Sequence, residues 1–218
     1  VDLYLPLLPA APQAGLDVIP TPDIVNNLNQ FSVECPGSAG GSGGANQDPH
    51  LSFKNDGIAD FRGIDKAYWN FLSTKNVSVA VRTEEAIFKL HELKVNGSFL
   101  TEVHWAMRTD QGRWFNVSML AKELNDANWG WRMVKGACAA PGAPPKQGAF
   151  TLWKGRSTEC DNLKASIDVA TLLVETPEWE FKVRGSRVFD RVAGPHHRLD
   201  LSFTPLLDDS MLSVAPHG

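Results

Sequence analysis

The stretch Asn76–Leu120 decides the fold and reads NVSVAVRTEEAIFKLHELKVNGSFLTEVHWAMRTDQGRWFNVSML. Apolar and polar residues alternate along most of it, and a period of two places one set of side chains on a buried face and the other outside. The predicted inward set comprises Val77, Val79, Val81, Phe99, Thr101, Val103, Trp105, Met107, Phe115, Val117 and Met119. This pattern is typical of antiparallel strands.

Two turn signals divide this stretch. Asn96-Gly97 is the dipeptide that a two-residue hairpin turn favours, because both residues tolerate a positive φ. Asp110-Gln111-Gly112 supplies the second signal. The stretch is therefore predicted to be a ladder of strands joined by tight turns.

Strand-like segments continue after this ladder. The predicted strands are Phe150–Lys154, Ser166–Val174, Glu178–Arg184, Arg187–Val192, Arg198–Phe203 and Ser210–Val214, with a turn at Gly185-Ser186. The predicted irregular segments are Asn125–Trp131 and Gly136–Gly148, and the helix candidates are Asp23–Phe31 and Ala121–Asp126. About ten strands with turns between them predict a mainly β protein, an antiparallel β-sandwich or barrel-like domain.

The N-terminal part has a different composition. Residues 1–34 carry apolar sequence interrupted by prolines, which suits an extended arm packed on its own domain or on a partner. Gly37–Gly44 is a flexible linker by composition. We therefore expect an arm and linker at residues 1–45 and a β domain at residues 46–218. No basic segment precedes the apolar Leu3–Leu8, so we expect a processed or trimmed product.

Charge and hydropathy bear on the classes of partner that we expect. The net charge of −4 over 218 residues gives no electrostatic reason to expect nucleic acid or an anionic membrane as a partner. No apolar run approaches the roughly 20 residues that span a bilayer. The partners that we expect are other protein subunits, and a glycan is a further candidate ligand.

The three cysteines, Cys35, Cys138 and Cys160, lack the Cys-x-x-Cys spacing of zinc and redox sites. Cys138 and Cys160 flank a Pro/Gly-rich segment, and a disulfide between them would close it. Cys35 would instead tie down the N-terminal arm. Three buried free thiols in a reducing compartment are the remaining alternative.

Three Asn-x-Ser sequons begin at Asn76, Asn96 and Asn116. Asn96 lies at a predicted exposed turn and is the best glycan candidate, whereas Asn76 and Asn116 lie at or inside strands. The sequons favour the disulfide over free thiols, and they favour a secreted, extracellular or cell-surface protein.

Several segments resemble a known family. The segments Asp48–Leu51, Asp60–Gly63 and Tyr68–Ser73 (DPHL, DFRG and YWNFLS) resemble the opening of von Willebrand factor type D domains. Trp179–Val183, Arg187–Val192, Gly194–Asp200 and Ala215–Gly218 are similar to a divergent branch with plant root-cap and late-embryogenesis-like proteins. The resemblance covers residues 48–218, and it implies a secreted structural or interaction module.

The chain also departs from that family pattern. Gln47 stands where the family usually has Gly, and Ile64 stands where it usually has Cys. The family's Gly-Leu-Cys-Gly-Asn segment, with its acidic calcium loop, would begin at Gly218, where this chain stops. No calcium site is therefore carried over, and a domain truncated at its C-terminus fits the same observation.

Two clusters are candidate metal ligands. Asp48, Asp56, Asp60 and Asp65 form a loose acidic cluster whose oxygens suit Ca²⁺, although it lacks the alternation and the glycine of an EF-hand. His196-His197 with Asp200 is the other candidate. Adjacent residues of a strand point to opposite faces, so a polar loop leading into a strand is the better interpretation. Beyond the Ca²⁺ candidates we expect no cofactor.

Aromatic and acidic residues raise the possibility of carbohydrate chemistry. Trp129 and Trp131 lie in a loop and are the contact candidates for a sugar face, and Trp114 follows a turn. Trp105 and Trp179 fit the inward phase of strands and are expected in the core. A glycosidase would pair two carboxylates, for which the candidates are Glu84, Glu85, Glu102, Glu178 and Glu180.

The chain's Gly-x-Ser-x-Gly match, Gly40–Gly44, lies in the flexible linker and not between a predicted strand and a helix, and the chain has no phosphate-binding glycine loop. We therefore expect a non-enzymatic, secreted module that contributes to an extracellular or cell-surface assembly through its arm and loops. One alternative is a carbohydrate-binding or carbohydrate-processing protein that uses loop tryptophans. Another is an accessory subunit of a large complex in an organelle lumen.

Overall fold

A computed structural model describes residues 43–46, 50–53, 57–124, 134–144 and 147–207. Some sequence predictions lie outside these ranges and stay predictions. They concern the arm of residues 1–34, the helix Asp23–Phe31, Cys35, Asp48, Asp56, the loop Asn125–Trp131 with Trp129 and Trp131, and the strand Ser210–Val214.

Fifteen strands and one 3₁₀ helix (Ala121–Glu123) make up the regular structure of the described part. The first eight strands are β1 (Gly43–Asn46), β2 (His50–Phe53), β3 (Gly57–Asp60), β4 (Tyr68–Ser73), β5 (Val77–Leu90), β6 (Leu93–Arg108), β7 (Trp114–Leu120) and β8 (Val134–Ala139). The others are β9 (Ala149–Leu152), β10 (Arg156–Cys160), β11 (Leu163–Asp168), β12 (Thr171–Glu175), β13 (Trp179–Arg187), β14 (Arg191–Ala193) and β15 (His197–Pro205).

Nine of these strands follow one hydrogen-bonded order, which is β10, β11, β12, β13, β15, β6, β7, β8 and β9. The two end strands, β9 and β10, contact each other, so the antiparallel sheet is nearly closed and barrel-like. A disulfide between Cys138 in β8 and Cys160 in β10 joins the two ends, with 5.7 Å between the Cα atoms. The predicted mainly β, barrel-like fold is confirmed. Of the three alternatives for the cysteines, the structure has the disulfide between Cys138 and Cys160.

The remaining strands extend the sheet at two places. β5 pairs with β6 over its whole length, and its other edge pairs with β4 and β14. β1 pairs with β15, and β2 and β3 follow beyond it. Because β1 begins at Gly43, the last two residues of the predicted linker Gly37–Gly44 lie in the sheet.

One main apolar cluster runs through the described strands from β4 to β15. Val79, Val81 and Val103 are fully buried within it, as the two-residue alternation predicts. Trp105 and Trp179 are also buried there, which confirms their assignment to the core. The core is therefore built from the inward phase of β4 to β13 and of β15.

A β-bulge at Thr101 changes which face of β6 points inward. The pairing with β5 passes from Glu102 directly to Leu100, so Thr101 is the extra residue. Leu100 and Trp105 both pack in the main cluster, whereas Phe99 packs in a separate small cluster. The prediction that Phe99 shares the inward face of Trp105 is wrong, because the bulge reverses the alternation between them.

The β5–β6 hairpin turns at His91-Glu92, where His91 has a φ of +55°. The predicted turn Asn96-Gly97 is wrong, because both residues lie inside β6. Ala86–Leu90 is an apolar strand-forming segment, and it gains cross-strand partners only if the ribbon continues past Asn96-Gly97. Pairing along the strands therefore overrides the local turn preference.

Two further turn predictions have different outcomes. The turn at Asp110-Gln111-Gly112 is confirmed. The predicted turn at Gly185-Ser186 is wrong, because these residues lie inside β13. A Cβ at Gly185 would stand 2.6 Å from Cδ1 of Leu124, so this glycine allows a close approach and not a change of chain direction.

Three predicted segments differ in extent. Ser166–Val174 is divided between β11 and β12 by a turn at Val169, which has a φ of +48° that a β-branched residue rarely adopts. The irregular segment Gly136–Gly148 starts later than predicted, because β8 continues to Ala139. Within Ala121–Asp126 the described helical structure is limited to the three-residue 3₁₀ helix.

Gly148 and Gly142 form a matched pair for testing the loop that precedes β9. Both have a φ near +70°, but a Cβ on Gly148 would overlap the carbonyl oxygen of Cys138, whereas a Cβ on Gly142 meets nothing within 4 Å. We predict that Gly148→Ala lowers the free energy of unfolding by about 3 kcal/mol or more, against about 1 kcal/mol for Gly142→Ala. Urea denaturation measures both, and equal losses would contradict the proposed overlap.

Candidate functional site

A polar network covers the outer face of β5, β6 and β7. Arg82 pairs with Glu102 across β5 and β6, and His104 pairs with Ser118 across β6 and β7. Glu102 and His104 are two residues apart on one strand, so their side chains share a face. Register alone therefore assembles the four side chains, on the face opposite the apolar core.

Glu102 lies at the centre of this network. One of its carboxylate oxygens accepts from the Tyr68 hydroxyl at 3.3 Å and lies 3.0 Å from Nε2 of His104. The other accepts from a guanidinium nitrogen of Arg82 at 2.9 Å. Burial opposes ionisation of Glu102, but the hydrogen bond to His104 and the charges of His104, Arg82 and Lys122 outweigh it and lower its pKa. The carboxylate is thus held ionised.

Ser118, His104 and Glu102 have the composition of a hydrolase triad. Nδ1 of His104 lies 2.8 Å from the Ser118 hydroxyl, and its Nε2 faces Glu102. However, Ser118 is only 2% exposed, so a substrate carbonyl cannot reach its hydroxyl. In this arrangement the three side chains satisfy one another inside the sheet.

Glu84 and Glu102 are brought together by Arg82. The same guanidinium nitrogen donates to Glu84 at 2.8 Å and to Glu102 at 2.9 Å. Thr101 also donates to Glu84, at 3.2 Å. A glycosidase general acid needs a raised pKa, whereas the pKa of Glu102 is lowered. Glu102 is therefore unsuited to be the general acid of such a reaction.

A cleft of about 400 Å³ adjoins the network. Its walls come from β5, β6, the 3₁₀ helix and the segment that leads into β15. The polar side chains that line it are Glu84, Thr101, Glu102, Lys122, His196 and His197. The sequence singled out Glu84, Glu102 and the two histidines separately, and the fold places all four on one cleft.

The metal candidates are not assembled within the described residues. Among the residues placed by the structure, no group of three His, Cys, Asp or Glu side chains has the geometry to hold a metal ion. His196 faces the guanidinium group of Arg191 at 2.8 Å, and His197 is buried in β15. Asp65 accepts a hydrogen bond from the backbone of Glu85. Asp60 lies in β3.

The three sequons differ in exposure. Asn76 is exposed in the bend before β5, and Asn96 is exposed on β6. Asn116 is buried in β7, in the same phase of the strand as Ser118. Two of the three acceptor side chains are therefore accessible in the folded protein.

Four large apolar side chains are exposed where the β5–β6 hairpin meets the turn between β13 and β14. They are Leu90, Leu93, Phe189 and Val192, which are 57%, 72%, 75% and 48% exposed. We call this set the apolar tip. It is continuous with a small buried cluster of Ala86, Phe99 and Val188, against which Phe88 packs. A contiguous exposed apolar patch is a mark of a contact surface.

Backbone pairing brings the two parts of the apolar tip together. Leu90 and Leu93 pair directly across the hairpin, so their side chains project from the same face. The backbone N–H of Lys89 donates to the carbonyl of Asp190 at 3.0 Å, which places Phe189 beside the end of β5. The tip thus combines two segments that are distant in the sequence and adjacent in the backbone pairing.

Sequence reasoning missed the apolar tip. With the turn predicted at Asn96-Gly97, neither Leu90 nor Leu93 was expected to lie at the end of a hairpin. A usable signal was present, because Leu90 and Leu93 flank the polar pair His91-Glu92 at the spacing of a two-residue hairpin turn. The contribution of Phe189 could not be found locally, since it depends on the pairing of β14 with β5.

Among the described residues, no helix is long and apolar enough to cross a membrane. Comparisons of the chain with protein-family models, with curated proteins and with solved structures find no match. The resemblance to von Willebrand factor type D domains therefore stays a prediction.

Glu102 provides a pH test of the network. A pKa lowered by folding contributes stability above the ordinary carboxyl range, and this contribution is lost as the pH falls through the folded-state pKa. We predict that Glu102→Gln lowers the free energy of unfolding by roughly 1–3 kcal/mol at neutral pH. The difference from wild type should shrink as the pH falls below the ordinary carboxyl range in denaturant titrations.

Glu159→Gln is the matched control for this prediction, because Glu159 lies exposed on β10. It should follow the wild-type profile at every pH. A Glu102→Gln profile that runs parallel to wild type from neutral to acidic pH would show that the carboxylate is not selectively stabilised by folding.

Proposed function

We propose that this protein is a non-enzymatic interaction module of an extracytosolic assembly, and that the apolar tip is its principal contact surface. The observation that carries the proposal is that Leu90, Leu93, Phe189 and Val192 are exposed on two segments whose backbones pair. Such side chains gain free energy by leaving water, roughly 25 cal/mol for each Å² of apolar surface covered. The arm of residues 1–34 is the second contact element that the sequence predicts.

Two observations support an extracytosolic compartment. The disulfide Cys138–Cys160 holds the two ends of the nearly closed sheet together, and such bonds persist in oxidising environments. The sequon residues Asn76 and Asn96 are exposed, as attached glycans require. A secreted or cell-surface protein and a lumenal accessory subunit both satisfy these conditions, and we propose the former.

The nearly closed sheet suits a scaffold. Its core is shared by β4 to β13 and β15, and the disulfide ties the ends, so the apolar tip is presented on a rigid support. The carbohydrate alternative rests on Trp129 and Trp131, which lie outside the described residues. No contact in the described part favours it over the interaction module.

Glycan occupancy tests the compartment. We predict that the protein produced through a eukaryotic secretory pathway carries N-glycans on Asn96 and Asn76 and none on Asn116, whose side chain is buried. Asn96→Gln and Asn76→Gln should each remove one glycan from the intact mass, and Asn116→Gln should remove none. A polypeptide mass without glycans would argue against the secretory route.

Exchange of the tip residues tests the contact surface. We predict that Leu90→Ser/Leu93→Ser moves the protein from the cell-surface fraction of its native cells into the medium. Leu206→Ser is the matched control, because Leu206 is 53% exposed elsewhere on the chain, and it should stay with the wild type. Immunoblotting of both fractions gives the distribution. Equal retention of all three proteins would remove the apolar tip as the contact surface.

A further inference from the structure

We infer that the apolar tip binds an anionic lipid surface, inserting its leucine and phenylalanine side chains at the level of the headgroups. This inference rests on the proposed interaction role and names the partner of that surface. It depends on three features of the described residues: the projection of the β5–β6 hairpin, the exposed side chains at its end, and the charges around them.

The end of the β5–β6 hairpin projects beyond its neighbours. Pairing of β4 with β5 reaches only as far as Arg82, and pairing of β7 with β6 begins only at Glu102. Beyond Leu100, where β15 pairs, β14 is the described strand that accompanies the ribbon. The hairpin therefore extends as a narrow projection, and its last residue pair, Leu90 and Leu93, lies at the end.

The apolar side chains at this end suit shallow insertion. Leu93 and Phe189 are 72% and 75% exposed, so they stand clear of the protein surface. Leu90 faces the same side as Leu93, and inward from them the face continues into the buried cluster around Phe99. Interfacial segments bury such side chains about 5–10 Å into the boundary between headgroups and acyl chains.

The charges around the apolar tip are locally basic, although the whole chain is acidic. Residues 87–95 and 187–193 contain four basic side chains, Lys89, Lys94, Arg187 and Arg191, and two acidic ones, Glu92 and Asp190. This local excess of two positive charges contrasts with the net charge of −4. Basic residues beside a membrane surface are attracted by its anionic lipids.

The position of the lysines favours lipid over a protein partner. Lys89 and Lys94 each directly adjoin an exposed leucine, and both are themselves exposed. Lysine is depleted from the centre of protein interfaces, where its charge must be desolvated. At a membrane its apolar stem lies along the acyl region while the ammonium group reaches the headgroups.

Vesicle binding by the full chain tests this inference. The probes are vesicles of phosphatidylcholine alone and of phosphatidylcholine with about one third phosphatidylserine, because the anionic component carries the attraction. We expect the wild type to cosediment with the anionic vesicles at least tenfold more strongly than with the neutral ones. The binding should weaken as the salt concentration rises.

Two pairs of variants separate the apolar and the electrostatic contributions. Leu90→Ser/Leu93→Ser should abolish insertion, with Leu206→Ser as its control. Lys89→Glu/Lys94→Glu should reduce binding to anionic vesicles at least tenfold. Lys154→Glu/Lys182→Glu makes the same change of charge at exposed positions elsewhere and should bind as wild type within about twofold. Thermal melting checks that every variant remains folded.

Three results would overturn the inference. One is the absence of binding to anionic vesicles, and another is binding that the tip variants leave unchanged. The third is a change of oligomeric state on tip substitution without any effect on vesicles, which would assign the surface to a second copy of the chain. If vesicle binding fails while retention at the cell surface still depends on the tip, the interaction role stands with a protein partner.

Discussion

Fourteen residues of β5 pair with β6 in one continuous antiparallel ribbon, from the pair Val77–Met107 to the pair Leu90–Leu93. The rest of the structure depends on this pairing. Its first half supplies the buried valines of the core and the edges on which β4 and β7 pair. Its second half leaves the sheet and becomes the projection that carries the apolar tip. One ribbon therefore belongs to the scaffold at one end and carries the proposed contact surface at the other.

The bulge at Thr101 separates these two roles. Because it reverses the alternation of β6, Phe99 turns away from the main core and joins the small cluster that leads to the apolar tip. The same face carries Glu102, which is nearly buried and ionised, and the protein stabilises that charge with Arg82, His104 and Tyr68. The polar network thus stabilises the buried charge of Glu102 on the outer face of the ribbon.

The proposed role follows from where charge and apolar surface lie, and not from their totals. A net charge of −4 gave no reason to expect an anionic surface as a partner. The fold gathers basic residues from two segments about a hundred positions apart around exposed Leu93 and Phe189, so the local balance is the opposite of the global one. Electrostatic attraction acts over about 10 Å, so the local balance governs binding.

The sequence by itself determined the fold class, the inward phase of Val79, Val81 and Val103, and the core positions of Trp105 and Trp179, because alternation is a local property of a strand. It left the cysteine pairing open, and it misplaced the hairpin turn and the role of Gly185. Only the tertiary structure decided these three features. The turn dipeptide Asn96-Gly97 is overruled because continued pairing of β5 with β6 stabilises more residues. The role of Gly185 depends on Leu124, which packs against it. The apolar tip and the Glu102 network likewise required cross-strand register, which no local window of sequence contains.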